Sequence, residues 1–212
     1  MPIQAGPHDL EAFAEMLLPR RHNCATLVGP HAAVEVLWEL LHDKLGRPRE
    51  TRWRQPHLEL GTEPLVAPDP EVRRTHQFDM EALYPACVAM YTEEVGVSPE
   101  AGGGAAHYRA RVSQLVARGW SFARFDESGR VVFKAEVACS SPYAAQVQGV
   151  YVLPELRSQG LATAGMAAVV AAVQAEIAPT VSLYVNDWNE SARRVYEKVG
   201  FTETARFSTV MF

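Results

Sequence analysis

The sequence predicts an α/β protein with a mixed, mostly antiparallel sheet and flanking helices. Three strand-like segments, 121–125, 131–138 and 145–153, follow one another with short turn sequences between them, which is typical of an antiparallel meander. A glycine turn, a helical run to Ile177 and a strand at 181–185 come next. A strand, a helix and a further strand in this order form a crossover. The strands at 145–153 and 181–185 are therefore expected to be parallel.

The remaining elements follow from apolar periodicity and from breaking residues. We expect helices at 10–18, 31–45, 80–95, 107–118 and 189–199, and strands at 24–28, 55–60, 72–78, around 201 and at 205–212. Three prolines between Leu60 and Val72 indicate a linker, and a domain boundary is therefore expected near residue 70. Residues 1–70 would form a partial α/β half and residues 71–212 the main domain.

Composition excludes several classes of protein. With 212 residues, 48% of them hydrophobic, the chain can bury a substantial core. Its net charge of −5 argues against a broad surface for nucleic acid. No apolar run reaches the ~20 residues of a membrane helix, and the first ten residues lack the basic and apolar order of a signal peptide. We therefore expect no nucleic-acid partner, no membrane association and a cytoplasmic location.

The cysteines and histidines do not suggest a metal site. Cys24, Cys87 and Cys139 are widely spaced and odd in number, and Cys24 and Cys139 lie in apolar strand-like runs, so buried free thiols are expected. None of the histidines has metal-ligand spacing with a cysteine, and no metal is expected. The histidines considered were His8, His22, His31, His42 and His57.

The most informative motif is the turn Arg157-Ser-Gln-Gly-Leu-Ala162, which lies between a strand and a helix. The first helical turn leaves its N–H groups without partners, and the helix dipole favours an anion there. Gly160 would let a phosphate approach the backbone, and Arg157 adds a cation. The motif predicts a phosphorylated cofactor. The alternative is that Gly160 only allows the strand and the helix to pack closely.

A second motif follows about thirty residues later, from Val185 to Phe201. The two motifs and the order of elements resemble the GNAT superfamily of acyl-CoA N-acyltransferases over roughly residues 72–212. Arg157–Ala162 looks like the family's pyrophosphate loop, and the second motif looks like the family's Asn, Ala, Tyr and Gly-Phe segment. The resemblance implies a GNAT fold, acetyl-CoA (coenzyme A) as co-substrate, and direct transfer of an acetyl group to a primary amine.

The resemblance also implies which residues bind the cofactor. Backbone N–H groups from Gln159 to Thr163 would hold the pyrophosphate, with the Thr163 hydroxyl as a further donor. A strand opened by a bulge at Gly149 would offer its backbone to the pantetheine amides. The full expected set is Val150, Tyr151, Val152, Arg157, Ser158, Gln159, Gly160, Leu161, Ala162, Thr163, Asn189 and Tyr196.

Two members of this set have a second interpretation. Tyr196 lies on an apolar helical stripe, and a tyrosine there is most often part of the core. The resemblance makes Tyr196 the general acid that protonates the leaving CoA thiolate. Asn189 suits the N-cap of a helix, and the resemblance adds a contact with the cofactor.

The general base is not defined by the motifs. Gln146 stands where many family members have a glutamate, and an amide cannot accept the proton. Glu136, on the neighbouring apolar strand, is the best substitute as a catalytic residue. An equally weighted alternative is that Lys134 and Glu136 form an ion pair on one strand face, solvated or bridging. Base-free catalysis, through a water chain or a neutral amine, also fits.

The first 70 residues look like a degenerate acetyltransferase half, similar to the N-terminal domain of some actinobacterial members. Gly29-Pro-His-Ala-Ala stands where the loop would be, and Pro30 removes an N–H from that turn, so no cofactor is expected there.

The resemblance implies a small-molecule or protein amine as the acceptor, and the sequence does not identify it. The acidic chain favours a cationic acceptor, and a homodimer is left open. Two rival functions remain: an acyl-CoA-binding sensor with weak or no catalysis, and a structural role in which the first domain mediates assembly.

Overall fold

The computed structural model describes residues 5–212. Its helices are α1 (Pro7–Leu17), α2 (His31–Leu45), α3 (Met80–Val95), α4 (Ala105–Ala117), α5 (Leu161–Glu176) and α6 (Glu190–Val199). Its strands are β1 (Thr26–Pro30), β2 (Glu50–Leu60), β3 (Arg73–Arg74), β4 (Ser121–Phe125), β5 (Val131–Ser140), β6 (Ala144–Val152), β7 (Thr180–Tyr184) and β8 (Thr202–Met211). The predicted α/β class is confirmed.

The chain forms two compact units. The first combines the described residues up to Leu58 with Tyr184–Arg193 and Glu203–Phe212. Its strand order is β1-β8-β2, and β1 is antiparallel to β8. The core under α1 and α2 is aliphatic. It includes Leu10, Leu27, Val34, Leu37 and Val210.

The second unit comprises Glu59–Leu183 and Arg194–Thr202. Its strand order is β7-β6-β5-β4-β3. Strands β3 to β6 pair antiparallel, and β6 pairs parallel with β7, which confirms the predicted meander and crossover. Helices α3 and α4 contribute Leu83, Cys87, Tyr108 and Val112 to one core cluster, together with residues of β4 to β6. The domain boundary near residue 70 stays a prediction.

Helix α5 packs against the opposite face of β5. Gly165 lies so close to this strand that a Cβ atom would come within 2.8 Å of the Phe133 ring. Phe133 and Lys134 are adjacent on β5, so their side chains point to opposite faces of the sheet. The face that bears Lys134 is therefore the one under α3 and α4.

The predicted strand at 72–78 is wrong beyond its first residues. Only Arg73–Arg74 of this segment pairs as a strand, and Gln77–Asp79 forms a 3₁₀ turn. Asp79 accepts two hydrogen bonds of 2.8 Å from the Arg73 guanidinium and one of 2.7 Å from the backbone N–H of His76. This side chain pulls the backbone into a turn before α3. The predicted segments around 201 and at 205–212 form the single strand β8.

The three cysteines are free, but their burial differs from the prediction. Cys87 is buried, Cys24 is half-buried and Cys139 is exposed. Cys139 lies near the end of β5, where the strand runs out of the core into a hairpin turn. Within residues 5–212 no helix is long and apolar enough to cross a membrane.

No group of three potential ligands could hold a metal ion in the part of the chain that the structure describes. Residues 1–4, the start of the segment considered as a signal peptide, lie outside the described residues. The side chains of His8 and His22 also lie outside the description.

Candidate functional site

Strand β6 carries a bulge at Gly149. Glu136 pairs with Gln148 and Lys134 pairs with Tyr151, so one residue of β5 is opposed by two of β6. Gly149 has a φ of +62°, in the left-handed region. A Cβ atom there would lie 3.0 Å from Cε of Met90, 3.1 Å from Nζ of Lys134 and 3.2 Å from Cδ of Glu136. Both the backbone conformation and the space therefore require glycine.

Beyond Gln146, β6 separates from β7. The parallel register joins Ala144–Gln146 to Thr180–Ser182 and goes no further within the described chain. Val150, Tyr151 and Val152 thus follow the point of separation. This arrangement fits the expected addition of an extended ligand to an opened strand. Their role in binding stays a prediction.

The turn before α5 is built from two left-handed residues. Ser158 has a φ of +63° and Gly160 a φ of +86°. A Cβ atom on Gly160 would meet no atom within 4 Å, so this glycine supplies conformation and open space. The alternative that Gly160 serves close strand–helix packing is not what the structure shows, because Gly165 has that role. The exposed stretch Arg157–Gly160 leaves room for an anion.

Helix α5 leaves fewer N–H groups for a ligand than the sequence indicated. The carbonyl of Gly160 accepts the N–H of Thr163 at 3.0 Å and of Ala164 at 3.2 Å. The N–H groups of Leu161 and Ala162, at the first two helical positions, are the ones that an α-helix cannot satisfy internally. The predicted pyrophosphate contacts are therefore best placed at the Gln159–Ala162 backbone, with Thr163 acting through its hydroxyl.

Arg157 is held by a partner that the sequence did not indicate. Its guanidinium donates to Oε1 and Oε2 of Glu93, on α3, at 2.9 and 2.7 Å, and its Nε donates to the Val152 carbonyl at 3.1 Å. The hydrogen bonds that Arg157 donates to Glu93 raise the pKa of Arg157, so the cation is permanent. In this arrangement Glu93 neutralises the charge predicted to meet the phosphate.

Lys134 and Glu136 form a buried ion pair beneath the bulge. Nζ of Lys134 lies 3.1 Å from Oε2 of Glu136, and their side chains are 0% and 6% exposed. Nε2 of Gln148 donates to Oε1 of Glu136 at 2.8 Å, and NH2 of Arg111, on α4, lies 3.8 Å from the same oxygen. We call Lys134, Glu136, Gln148 and Arg111 the bulge cluster. The predicted ion pair is present and is buried rather than solvated, whereas the role of Glu136 as a base stays a prediction.

The charge of Lys134 is maintained despite its burial. Desolvation alone would lower the pKa of this amine, but the adjacent Glu136 carboxylate outweighs it, and the pKa is raised. Burial also raises the pKa of the Cys87 thiol, so Cys87 stays protonated and is a poor nucleophile. Gln148, rather than Gln146, is the amide that contacts Glu136. The spacing of two residues between Lys134 and Glu136, and between Gln146 and Gln148, is the sequence pattern that places each pair on one face of its strand.

Tyr196 and Asn189 both have the local structural roles that their residue types favour. Tyr196 is 7% exposed, and its ring packs edge to face on Phe201 with centroids 5.9 Å apart. Burial raises its pKa well above the ordinary value, so the phenol stays protonated at neutral pH. Oδ1 of Asn189 accepts the N–H of Ala192 at 3.1 Å, which confirms the N-cap of α6. Their roles toward the cofactor stay predictions.

Several solved structures of similar fold are described as acetyltransferases. A GCN5-related N-acetyltransferase from Kribbella flavida matches with a TM-score of 0.60 and 18% identity over 100% of this chain and 77% of its own. A predicted acetyltransferase with acetyl-CoA from Clostridium acetobutylicum matches with a TM-score of 0.51 and 18% identity over 63% of this chain and 90% of its own.

A third structure, a putative GNAT acetyltransferase from Novosphingobium aromaticivorans, matches with a TM-score of 0.55 and 21% identity over 77% of this chain. The chain spans 65% of the length of that protein, just under two thirds. At these identities the likeness shows the fold.

Two family models match the sequence, whereas no curated protein does. Residues 1–83 match the model described as a domain of unknown function (DUF4081). Residues 114–201, which include the bulge, the turn before α5 and α6, match the model described as the acetyltransferase (GNAT) family. The family uses acetyl-CoA. The chain therefore carries a GNAT-family acetyltransferase domain preceded by a DUF4081 domain.

Proposed function

We propose that the protein transfers the acetyl group of acetyl-CoA directly to a primary amine of its acceptor. One observation carries the proposal. Strand β6 leaves β7 after Gln146, bulges at Gly149, and leads to the start of α5, where the space beside Gly160 is open. A splayed strand followed by an anion-binding helix start suits a long ligand with a thioester at one end and a pyrophosphate in its middle.

Acetyl-CoA would lie along these elements. The backbone of Val150–Val152 would pair with the pantetheine amides, and the Gln159–Ala162 backbone would hold the pyrophosphate, with Ser158 and Thr163 as hydroxyl donors. Arg157 would add its cation once Glu93 releases it. The thioester would then lie at Gly149, above Glu136. Much of the rate gain would come from holding the amine and the thioester together.

Two side chains would move protons. Glu136 would accept the proton of the attacking amine, because each of its oxygens receives one hydrogen bond and keeps a second lone pair. Lys134 places a positive charge 3.1 Å from this carboxylate. Tyr196 would protonate the departing thiolate as the C–S bond breaks, since its phenol stays protonated at neutral pH.

A second candidate is an acyl-CoA-binding sensor with weak or no catalysis. It is favoured by Gln146 at the family's glutamate position and by the engagement of Glu136 with Lys134 and Gln148. Both candidates keep the cofactor site and differ only in turnover. The cytoplasmic location and a homodimer stay predictions.

Two measurements test the proposal. Calorimetry with acetyl-CoA should show stoichiometric binding, and no binding would contradict both candidates. Release of free CoA thiol should then be followed with a panel of primary amines that covers amino acids, polyamines, aminoglycosides and peptides with free N-termini. Amine-dependent release supports the enzyme, whereas binding with no release above the uncatalysed rate supports the sensor.

A further inference from the structure

Of the two cations in the bulge cluster, Arg111 is held more weakly than Lys134. It lies on α4 between the buried residues Tyr108 and Val112, so its side chain leaves the helix at the border of the packed face. The Arg111 side chain is 51% exposed. Its charged contact is with Oε1 of Glu136, at 3.8 Å, which is too long for a hydrogen bond.

Neighbouring cations are held by partners. Lys134 is fully buried against Glu136, Arg157 is bound by both oxygens of Glu93, and Arg109, on the same helix as Arg111, is paired with Glu81. Each of these would have to lose an existing ion pair to bind a new anion. Arg111 can turn its planar fork of donors toward a ligand and still remain beside Glu136.

The charge of the bulge cluster favours an anion. Lys134 and Arg111 contribute two positive charges and Glu136 one negative charge, so the cluster carries a net charge of about +1 next to the bulge at neutral pH. The Glu136 carboxylate is already bound by Lys134 and Gln148. A purely cationic acceptor would therefore meet a bulge cluster in which the negative charge of Glu136 is compensated, and this reverses the expectation of a cationic acceptor that came from the acidic composition.

We propose that Arg111 recognises a carboxylate on the acceptor, so that the protein acetylates amines that carry a carboxylate close to the amino group, as α-amino acids do. This inference rests on the proposed function. The amine of the acceptor would face Glu136, and its carboxylate would face Arg111. These two side chains are 3.8 Å apart, a separation that suits an amine and a carboxylate attached to the same carbon atom. Guanidinium and carboxylate match as a two-point pair, so the contact would also orient the amine.

The test compares acceptors that differ only in this group. Glycine, alanine, glutamate, lysine and phenylalanine are each assayed as the free acid and as the carboxamide, and kcat/KM is measured by release of CoA thiol. For at least one of them the wild type should prefer the acid by about tenfold or more, as expected for a charge-assisted pair. Arg111→Gln should bring the ratio close to one, and Arg111→Lys should give an intermediate ratio.

Arg109→Gln is the matched control, since Arg109 lies on the same helix and is 43% exposed. It should keep the wild-type ratio. A wild-type ratio near one for every pair, or a ratio that Arg111→Gln leaves unchanged, would overturn the inference. An Arg111-dependent preference for 2-aminoethyl phosphate over all the amino acids would overturn it as well, in favour of a phosphate.

A second measurement separates this inference from the proposed function. Binding of N-acetylglycine and N-acetylglycinamide, and of the same derivatives of the other four amino acids, is measured by calorimetry with CoA present. If no amine is acetylated but an N-acetyl amino acid binds through Arg111, catalysis has failed and the recognition stands. If thiol is released but neither the acceptor ratio nor this binding depends on Arg111, the proposed function stands and the recognition fails.

Discussion

The carboxylate of Glu93 holds both terminal nitrogens of the Arg157 guanidinium, at 2.9 and 2.7 Å. This pair joins the end of α3 to the turn expected to bind pyrophosphate. A phosphate group and Glu93 would compete for the same donors. Arg157 is 42% exposed and Glu93 is 56% exposed, so the pair is solvated and breaking it costs little free energy.

Glu93→Gln should therefore tighten binding of CoA. Removing the competing carboxylate leaves the Arg157 cation for the ligand, and an exposed pair is worth at most about 1 kcal/mol, which corresponds to a gain in affinity of about two- to fivefold. Calorimetry with CoA gives the dissociation constant. Glu94→Gln changes the net charge equally and should give a smaller effect. Weaker binding by Glu93→Gln would mean that the pair positions the turn rather than blocking it.

Tyr196→Phe should lower kcat by about 10²-fold, the usual contribution of a positioned acid, and leave the dissociation constant for acetyl-CoA unchanged. Because burial raises the pKa of Tyr196, the wild-type rate should show no loss from its ionisation below about pH 10. Thiol release across pH measures both effects. Tyr143→Phe, at an exposed position, is the control. A rate unaffected by Tyr196→Phe would rule out this residue as the acid.

Gly149→Ala should destabilise the protein more than Gly129→Ala does. Both glycines have positive φ, +62° and +81°, and alanine there costs about 1–2 kcal/mol. Only at Gly149 does the new Cβ also crowd Met90, Lys134 and Glu136, which adds about 1–3 kcal/mol of overpacking. Urea unfolding gives the loss in the free energy of unfolding for each variant, and the difference between the two losses measures the cost of the crowding. Equal losses would show that the cluster can move away from the bulge.

Lys134→Met should reduce the free energy of unfolding by about 3–5 kcal/mol, because it leaves the Glu136 carboxylate buried without its cation. The double variant Lys134→Met with Glu136→Leu removes both charges and should recover most of that loss. Denaturant unfolding measures each variant. A double variant less stable than Lys134→Met alone would mean that Gln148 and Arg111 depend on the carboxylate more than it depends on Lys134.

Asp79 should make stability fall in acid. Its hydrogen bonds with Arg73 outweigh desolvation and hold the pKa of the carboxyl below its usual value. A lowered folded-state pKa adds stability that is fully present above about pH 4 and is lost as the pH falls through the lowered value. Asp79→Asn should cost about 1 kcal/mol at pH 7, and this difference should shrink below pH 4. Thermal unfolding between pH 2 and 7 tests it, and Arg73→Gln should flatten the profile in the same way.

Much of the fold was readable from the sequence because its signals are local. Helix α2 ends at Leu45 before Gly46, as predicted, and β4 matches its predicted bounds. The turn at Gly160 and the bulge at Gly149 were also predicted, since each depends on a backbone conformation that glycine permits. The strand at 72–78 failed because two side-chain contacts of Asp79 with Arg73 and His76 outweighed extended propensity.

The partners of the charged groups were decided only by the tertiary structure. The sequence by itself determined that a glycine turn opens α5 and that Lys134 and Glu136 share a face of β5, because period and turn chemistry act over a few residues. That Glu93 holds Arg157, that Gln148 rather than Gln146 meets Glu136, and that Arg111 approaches this carboxylate depend on strand register and on the packing of α3 and α4. These contacts join residues 12 to 64 positions apart, beyond the range of any local pattern.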